Sequence, residues 1–152
     1  QNRIVLGGNE KSVQVIEKVY QRVFPVTTII KTDSTTAEMI KYLTNTFLAT
    51  KVSFANEIKM ICDKIDVDYD KVIEYSLHDK RLGSSHWAVP GPDGKLGFGG
   101  SCFPKDINAL IYFAKDKGLD LDLLQSVWET NLKVRPEKDW QDLKGRAVVK
   151  KD

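Results

Sequence analysis

Residues 34 to 65 contain neither glycine nor proline, and no other feature of the 152-residue sequence restricts its fold as tightly. Within this stretch Ile40, Leu43, Phe47, Phe54, Ala55, Ile58, Ile61, Cys62 and Ile65 recur at steps of three and four, the spacing of a helical face. At 1.5 Å per residue the stretch predicts a helix on the order of 45 Å long, well beyond the usual globular length. Ser34-Thr35-Thr36-Ala37-Glu38 supplies a capping hydroxyl and an early carboxylate, the signature of a helix start. Its apolar residues occupy more than one face, so the helix belongs at the centre of something. A dimer interface is the first expectation, and a single long core helix in a monomer is the alternative.

The flanking segments are of two kinds. Upstream, Asn2 to Gly8 reads as a β run, residues 10 to 23 carry Val13, Ile16, Val19, Tyr20 and Val23 at helical spacing, and Thr27 to Lys31 is β-branched. Strand, helix, strand is the tail of a parallel α/β domain. Downstream, a short helix starts at Asp68 or Asp70 and runs to about Leu77. A loop from Gly83 to Gly100 follows, then helices over 105–117 and 121–135, the second stopped by Pro136. Gly145 to Val149 reads as the first strand of a further domain. Residues 1–32, 33–136 and 137–152 are therefore expected to be an α/β remnant, a helical domain and a linker leading onward, with both ends reading as cuts.

Composition excludes several function classes. Lys and Arg number 23 against 21 Asp and Glu, a net charge of +2 that offers no broad field for nucleic acid. The basic cluster from Lys144 to Lys151 reads as a solvated edge. No apolar run approaches the roughly 18 residues of a spanning helix, so no membrane partner is expected. Cys62 and Cys102 are far apart and lack disulfide-like spacing, which favours a reducing, cytoplasmic setting. With His78 and His86 the only histidines, no metal site is expected.

Chemistry concentrates in Gly97-Phe98-Gly99-Gly100-Ser101-Cys102-Phe103-Pro104-Lys105-Asp106. The glycines allow tight turning and close approach to a ligand. Pro104 suits the first position of a helix, which would leave Cys102 just before the N-terminus, where backbone N–H groups and the dipole favour a thiolate. Asp106 would then fall in the first turn near the thiol, with Lys105 beside it. Cys102 is a candidate nucleophile; the competing view is a small apolar residue at an ordinary turn. Cys62, on the apolar stripe of the long helix, reads as core. Lys41 and Asn45 share a face of that helix one turn apart and suit an oxyanion, although such pairs are commonplace on exposed helices.

The stretch Glu38-Met39-Ile40-Lys41-Tyr42-Leu43-Thr44-Asn45-Thr46-Phe47-Leu48-Ala49-Thr50-Lys51-Val52-Ser53-Phe54-Ala55-Asn56-Glu57 resembles the central-helix motif of the UDP-glucose/GDP-mannose dehydrogenase family. Gly97 to Asp106 resembles that family's catalytic-cysteine loop, and the two occur in family order. The resemblance, most like a UDP-glucose 6-dehydrogenase, covers essentially the whole chain. It implies a mainly α fold like the 6-phosphogluconate dehydrogenase C-terminal domain, built around the long helix. Residues 1–32 would be the end of an NAD-binding Rossmann domain and 137–152 the approach to a UDP-sugar-binding domain.

The implied activity is oxidation of a sugar-nucleotide C6 alcohol to the uronic acid with two NAD. Cys102 would form the thiohemiacetal and thioester, Lys41 would stabilise the oxyanion with Asn45 as its companion, and Asp106 would position or activate water. Gly99, Gly100 and Phe98 would approach the sugar, and Arg81 would reach the partner subunit's site in a homodimer formed through residues 34–65. Lys105 is a candidate cofactor contact. UDP-glucose is the first substrate expected, with UDP-N-acetylmannosamine and GDP-mannose as rivals and a non-catalytic dimerisation module as the alternative from another class. Trp87 either covers the substrate or packs the loop.

The family's Gly-x-Gly-x-x-Gly fingerprint is absent, and Gly7-Gly8 does not replace it. The family's thioester-stage glutamate would lie upstream and its base-recognition domain downstream. These 152 residues are thus expected not to turn over substrate alone.

Overall fold

In the computed structural model, residues 2–143 are described, and they pack as two compact units divided in sequence between Thr44 and Asn45. The expected strand over Gly145 to Val149 lies outside the described residues.

The first unit opens with β1 (Arg3–Gly7), crosses over through α1 (Glu10–Val23) and returns as β2 (Thr28–Thr32). The strands pair in parallel with Arg3 opposite Thr28 and Gly7 opposite Thr32, as a βαβ crossover requires. Asn9 caps α1, its side chain accepting from the Ser12 N–H at 3.0 Å. Ile4, Leu6 and Val13, with Ile29 against them, form a small core. Of the apolar positions expected on α1 only Val13 is buried; Ile16, Val19 and Val23 face solvent. Gly7 is small because of packing: a Cβ there would strike Ala37 and crowd Ser34.

The long helix is present as α2 (Ser34–Lys64). Its cap differs from expectation. Asp33, one residue before Ser34, accepts from the Thr36 N–H at 2.9 Å, and hydrogen bonds from Thr36 hold the Asp33 carboxyl below its usual range. Aspartate accepts that bond as well as serine and adds favourable charge at the dipole's positive end.

The second unit comprises the rest of α2 with α3 (Tyr69–Ser76), α4 (Cys102–Asp116) and α5 (Asp122–Val134), a 3-10 turn at Lys80–Leu82 and another at Asp139–Asp142. One core gathers Ala49, Phe98, Ile107 and Val127; a second gathers Ala55, Cys62, Tyr69 and Val89. Cys62 is buried, as its place on the stripe predicted. The inward side of α2 is nonetheless made of small and polar residues, Ala49, Ser53, Ala55 and Asn56, whereas Phe47, Phe54, Ile61 and Ile65 are more than half exposed. Small side chains let neighbouring backbone approach closely: Ser53 donates to the Val127 carbonyl of α5 at 3.0 Å. Among the described residues no helix is long and apolar enough to cross a membrane.

Candidate active site

Cys102 is the first residue of α4. The helix begins three residues earlier than the sequence suggested, and Pro104 is its third residue, still within the first turn, where an N–H has no intrahelical acceptor to lose. Asp106 is consequently the fifth residue, past the first turn. A spacing of four puts it on the same face as Cys102, one turn away. The Cys102 side chain is exposed, its Sγ 3.8 Å from Ser101 Oγ.

Asp106 is wholly buried. One carboxyl oxygen accepts from Asn45 Nδ2 and the other pairs with Lys105 Nζ, each at 2.5 Å. A buried carboxyl needs such partners, because desolvation without them costs several kcal/mol. The fold thus joins Asn45, Lys105 and Asp106, the first from a position 61 residues away in sequence. Lys41 stands on α2 one turn before Asn45, exposed, with its Nζ 5.3 Å from the Tyr42 ring centroid.

A cavity of about 480 Å³ lies within the second unit, inside the size range of small-molecule sites. Val52, His86, Phe98, Gly99, Gly100 and Phe103 are among its walls, so three residues expected near the sugar do line one space. The His86 ring sits 5.7 Å from Phe103. Burial, helped by the nearby Lys51 charge, lowers the His86 pKa from its ordinary 6.5. Arg81 points elsewhere: its side chain is 89% exposed and pairs with Asp79 at 2.6 Å.

Trp87 packs the loop. Its Nε1 donates to the Gly83 carbonyl at 2.8 Å, its carbonyl accepts from the Tyr69 hydroxyl at 2.6 Å, and its ring meets Phe54 edge-on. Lys51 Nζ lies 4.6 Å over that ring and donates to the Leu82 and Gly83 carbonyls at 3.1 and 3.2 Å.

Residues 35–133 match the model of the UDP-glucose/GDP-mannose dehydrogenase family, central domain. The chain belongs to this family. The UDP-glucose 6-dehydrogenase YwqF of Bacillus subtilis is 44% identical over 131 residues, which are 86% of this chain and 28% of that protein. A UDP-glucose dehydrogenase structure from the hyperthermophilic archaeon Pyrobaculum islandicum superposes with a TM-score of 0.78 at 37% identity, over 87% of this chain and 29% of that one. A UDP-D-ManNAc dehydrogenase structure from Pyrococcus horikoshii gives 0.72 at 30% identity, over 88% and 29%. The chain therefore spans less than a third of the length of these family members.

The family name implies an NAD-dependent enzyme, and the described residues show no complete dinucleotide site. Gly7, the last residue of β1, is closed to a ligand by Ala37 and Ser34, whereas a Cβ on Gly8, the next residue, would meet only Val13 at 3.6 Å.

The resemblance also left out the side chains that hold the cysteine loop. Asn56 Oδ1 accepts from the Gly97 N–H at 3.1 Å. Asn131 accepts from the Phe98 N–H at 2.7 Å and donates to the Phe98 carbonyl at 3.0 Å. A signal for Asn131 exists in the sequence: it continues the row of Val127 on α5, where a polar residue in an apolar register marks a buried partner.

Proposed function

We propose that these residues are the central segment of an NAD-dependent sugar-nucleotide 6-dehydrogenase that oxidises UDP-glucose to UDP-glucuronate, with Cys102 as its nucleophile. The observation that carries this is the buried Asp106, held by Asn45 and Lys105 one helical turn from an exposed cysteine. The names of the relatives favour UDP-glucose over the mannose-derived sugars.

The overall change removes four electrons from C6, two for each NAD reduced. NAD supplies only the hydride acceptor when bound, with Lys105 as the candidate contact in this chain. This chain's own groups act on the carbonyl stages. The Cys102 thiolate adds to the aldehyde carbon, forming a C–S bond and placing the π pair on oxygen. The Lys41 ammonium, one turn before Asn45, stabilises that oxyanion. After the second oxidation the carbon is a thioester. Water, its proton directed by Asp106, adds to the carbon, and the C–S bond breaks to return the thiolate and the carboxylic acid. The Asn45 amide fixes the Asp106 carboxyl for this task. Gly99, Gly100 and Phe98 shape the sugar end of the cavity.

The exposed Phe47, Phe54, Ile61 and Ile65 of α2 support a homodimer through this helix, and the outward Arg81 suits contribution to a partner's site. Free cysteines at 62 and 102 are compatible with a reducing, cytoplasmic setting.

The test is turnover of UDP-glucose and NAD by the full polypeptide that contains these residues, with two NADH expected per UDP-glucuronate. Cys102→Ser is expected to lower kcat by at least about 10³-fold. Undiminished turnover by that variant overturns the assignment. A polypeptide that dimerises but never reduces NAD in the presence of any of the three sugars is instead the assembly module.

A further inference from the structure

Arg135 is a cation with 1% of its surface exposed, and none of the chemistry above uses it. Its Nε and Nη2 donate to the two Asp139 oxygens at 2.7 and 3.0 Å, and Nη2 also donates to Asp93 at 2.7 Å. Its Nη1 donates to the Leu96 carbonyl at 3.3 Å. The guanidinium lies directly against the Gly99 backbone, so a Cβ at Gly99 would fall on it.

Three buried side chains therefore hold the loop in succession. Asn56 holds Gly97, Asn131 holds Phe98 and Arg135 backs Gly99. Cys102 follows three residues after Gly99. An apolar side chain of similar volume could fill the Arg135 site at little cost or even with a gain. It could not fix the position of a backbone that offers no side chain to pack against. A planar guanidinium with two carboxylate partners can, because its hydrogen bonds fix direction as well as distance.

We propose that Arg135 is a positioning residue for Cys102: clamped by Asp93 and Asp139, it sets the Gly99 backbone and through it the thiol and the cavity wall. This rests on Cys102 being the nucleophile.

The experiment compares kcat, KM, iodoacetamide alkylation of Cys102 and urea unfolding in the full polypeptide, for Arg135→Lys, Gly99→Ala and the two together. Arg135→Lys is expected to lose about 10- to 100-fold in kcat, the usual cost of a small misplacement. The exposed thiol should still alkylate within about twofold of the unsubstituted rate, since alkylation by a small free reagent needs access rather than alignment. Gly99→Ala is expected to lose kcat similarly by displacing the guanidinium. The double variant should lose no more than the worse single one, the non-additivity of groups acting through one contact.

Folded Arg135→Lys with lowered stability but unchanged kcat overturns the proposal. Should Arg135→Lys fail to fold, Asp93→Asn decides, because that carboxylate is half exposed. Loss of several-fold in its kcat supports positioning and no change overturns it. Retained turnover in Cys102→Ser overturns the nucleophile assignment instead, and with it the ground for this inference.

Discussion

The connection between α3 and α4 is held by two different chemistries along its length. From Gly83 to Pro92 it is fixed by aromatic packing: Trp87 rests between Lys51 and Phe54, and Tyr69 reaches its carbonyl. From Gly97 to Gly100 it is fixed by polar side chains that bond its backbone, with Phe98 alone contributing a buried ring. Apolar packing is non-directional and tolerates small shifts. Hydrogen bonds lose strength steeply with angle and distance. The half that leads into Cys102 has side-chain bonds to successive backbone groups, at Gly97 and Phe98, whereas the half farther from it has its side-chain bonds, at Gly83 and Trp87, gathered around one packed ring. Among the described residues every fully buried side-chain nitrogen and oxygen has a partner, so the polar half carries no penalty for its burial.

Asn131→Ala should break the polar half most severely. It strips partners from both the N–H and the carbonyl of Phe98 in a site closed to solvent. Each unsatisfied buried group costs about 1–3 kcal/mol, so a loss of about 2–5 kcal/mol in urea unfolding is expected. A loss under about 1 kcal/mol would mean that water enters and that the loop is less firmly held than its bonds indicate. Gly97→Ala follows at about 1–3 kcal/mol, for two reasons. Gly97 has φ +66, where a Cβ is strained, and that Cβ would fall on the Asn131 amide.

What could be seen in the sequence divides along a similar line. The helices were legible because apolar periodicity reports a local property, and α1, α2, α3 and α5 lie within a residue or two of their expected bounds. Pro104 misled the start of α4, since a proline is tolerated anywhere in the first turn and marks no single position. The buried side of α2 was not legible: large apolar residues stand out in a sequence, yet close packing selected Ala49, Ser53 and Ala55 for the inside. Cys102, Gly99 and Asp106 stood together in one segment and could be read as a group. The Asn45–Asp106 bond spans 61 positions and has no local trace. Asn131 and Arg135 were passed over because a polar residue near a helix end reads as surface until a partner is seen.

In the aromatic half the expected effects are smaller. Tyr69→Phe removes the 2.6 Å bond to the Trp87 carbonyl and should cost about 1 kcal/mol. The Tyr69 hydroxyl also titrates late: burial, then the charge of Asp70, pushes its pKa from 10.0 up to about 12. The unfolded chain then releases this proton first, so the native state is favoured below pH 10 and loses that advantage progressively between pH 10 and about 12. Unfolding midpoints of the unsubstituted chain should fall across that window, and those of Tyr69→Phe should fall less. Equal slopes would detach Tyr69 from the transition.

His86 offers the mildest way to separate the two halves, since it belongs to the aromatic one. Its pKa is lowered by burial and by Lys51, so the folded protein resists protonating it. The unfolded chain binds that proton more readily, and stability is therefore lost as pH falls below 6.5 toward the lowered native value. The polar half does not share this response in the same acid window. Hydrogen bonds from Arg135 hold both Asp93 and Asp139 below the usual carboxylate range, so they stay ionised through this window. Mild acid, from pH 7 to about 5.5, should raise amide hydrogen exchange at Trp87 and Val89, after correction for intrinsic rates, and leave Gly97 and Phe98 unchanged. In His86→Phe the first change should vanish. If Phe98 loosens together with Trp87 in the unsubstituted protein, the connection moves as one body, and the restraint on the cysteine depends on the aromatic packing as much as on Asn131 and Arg135.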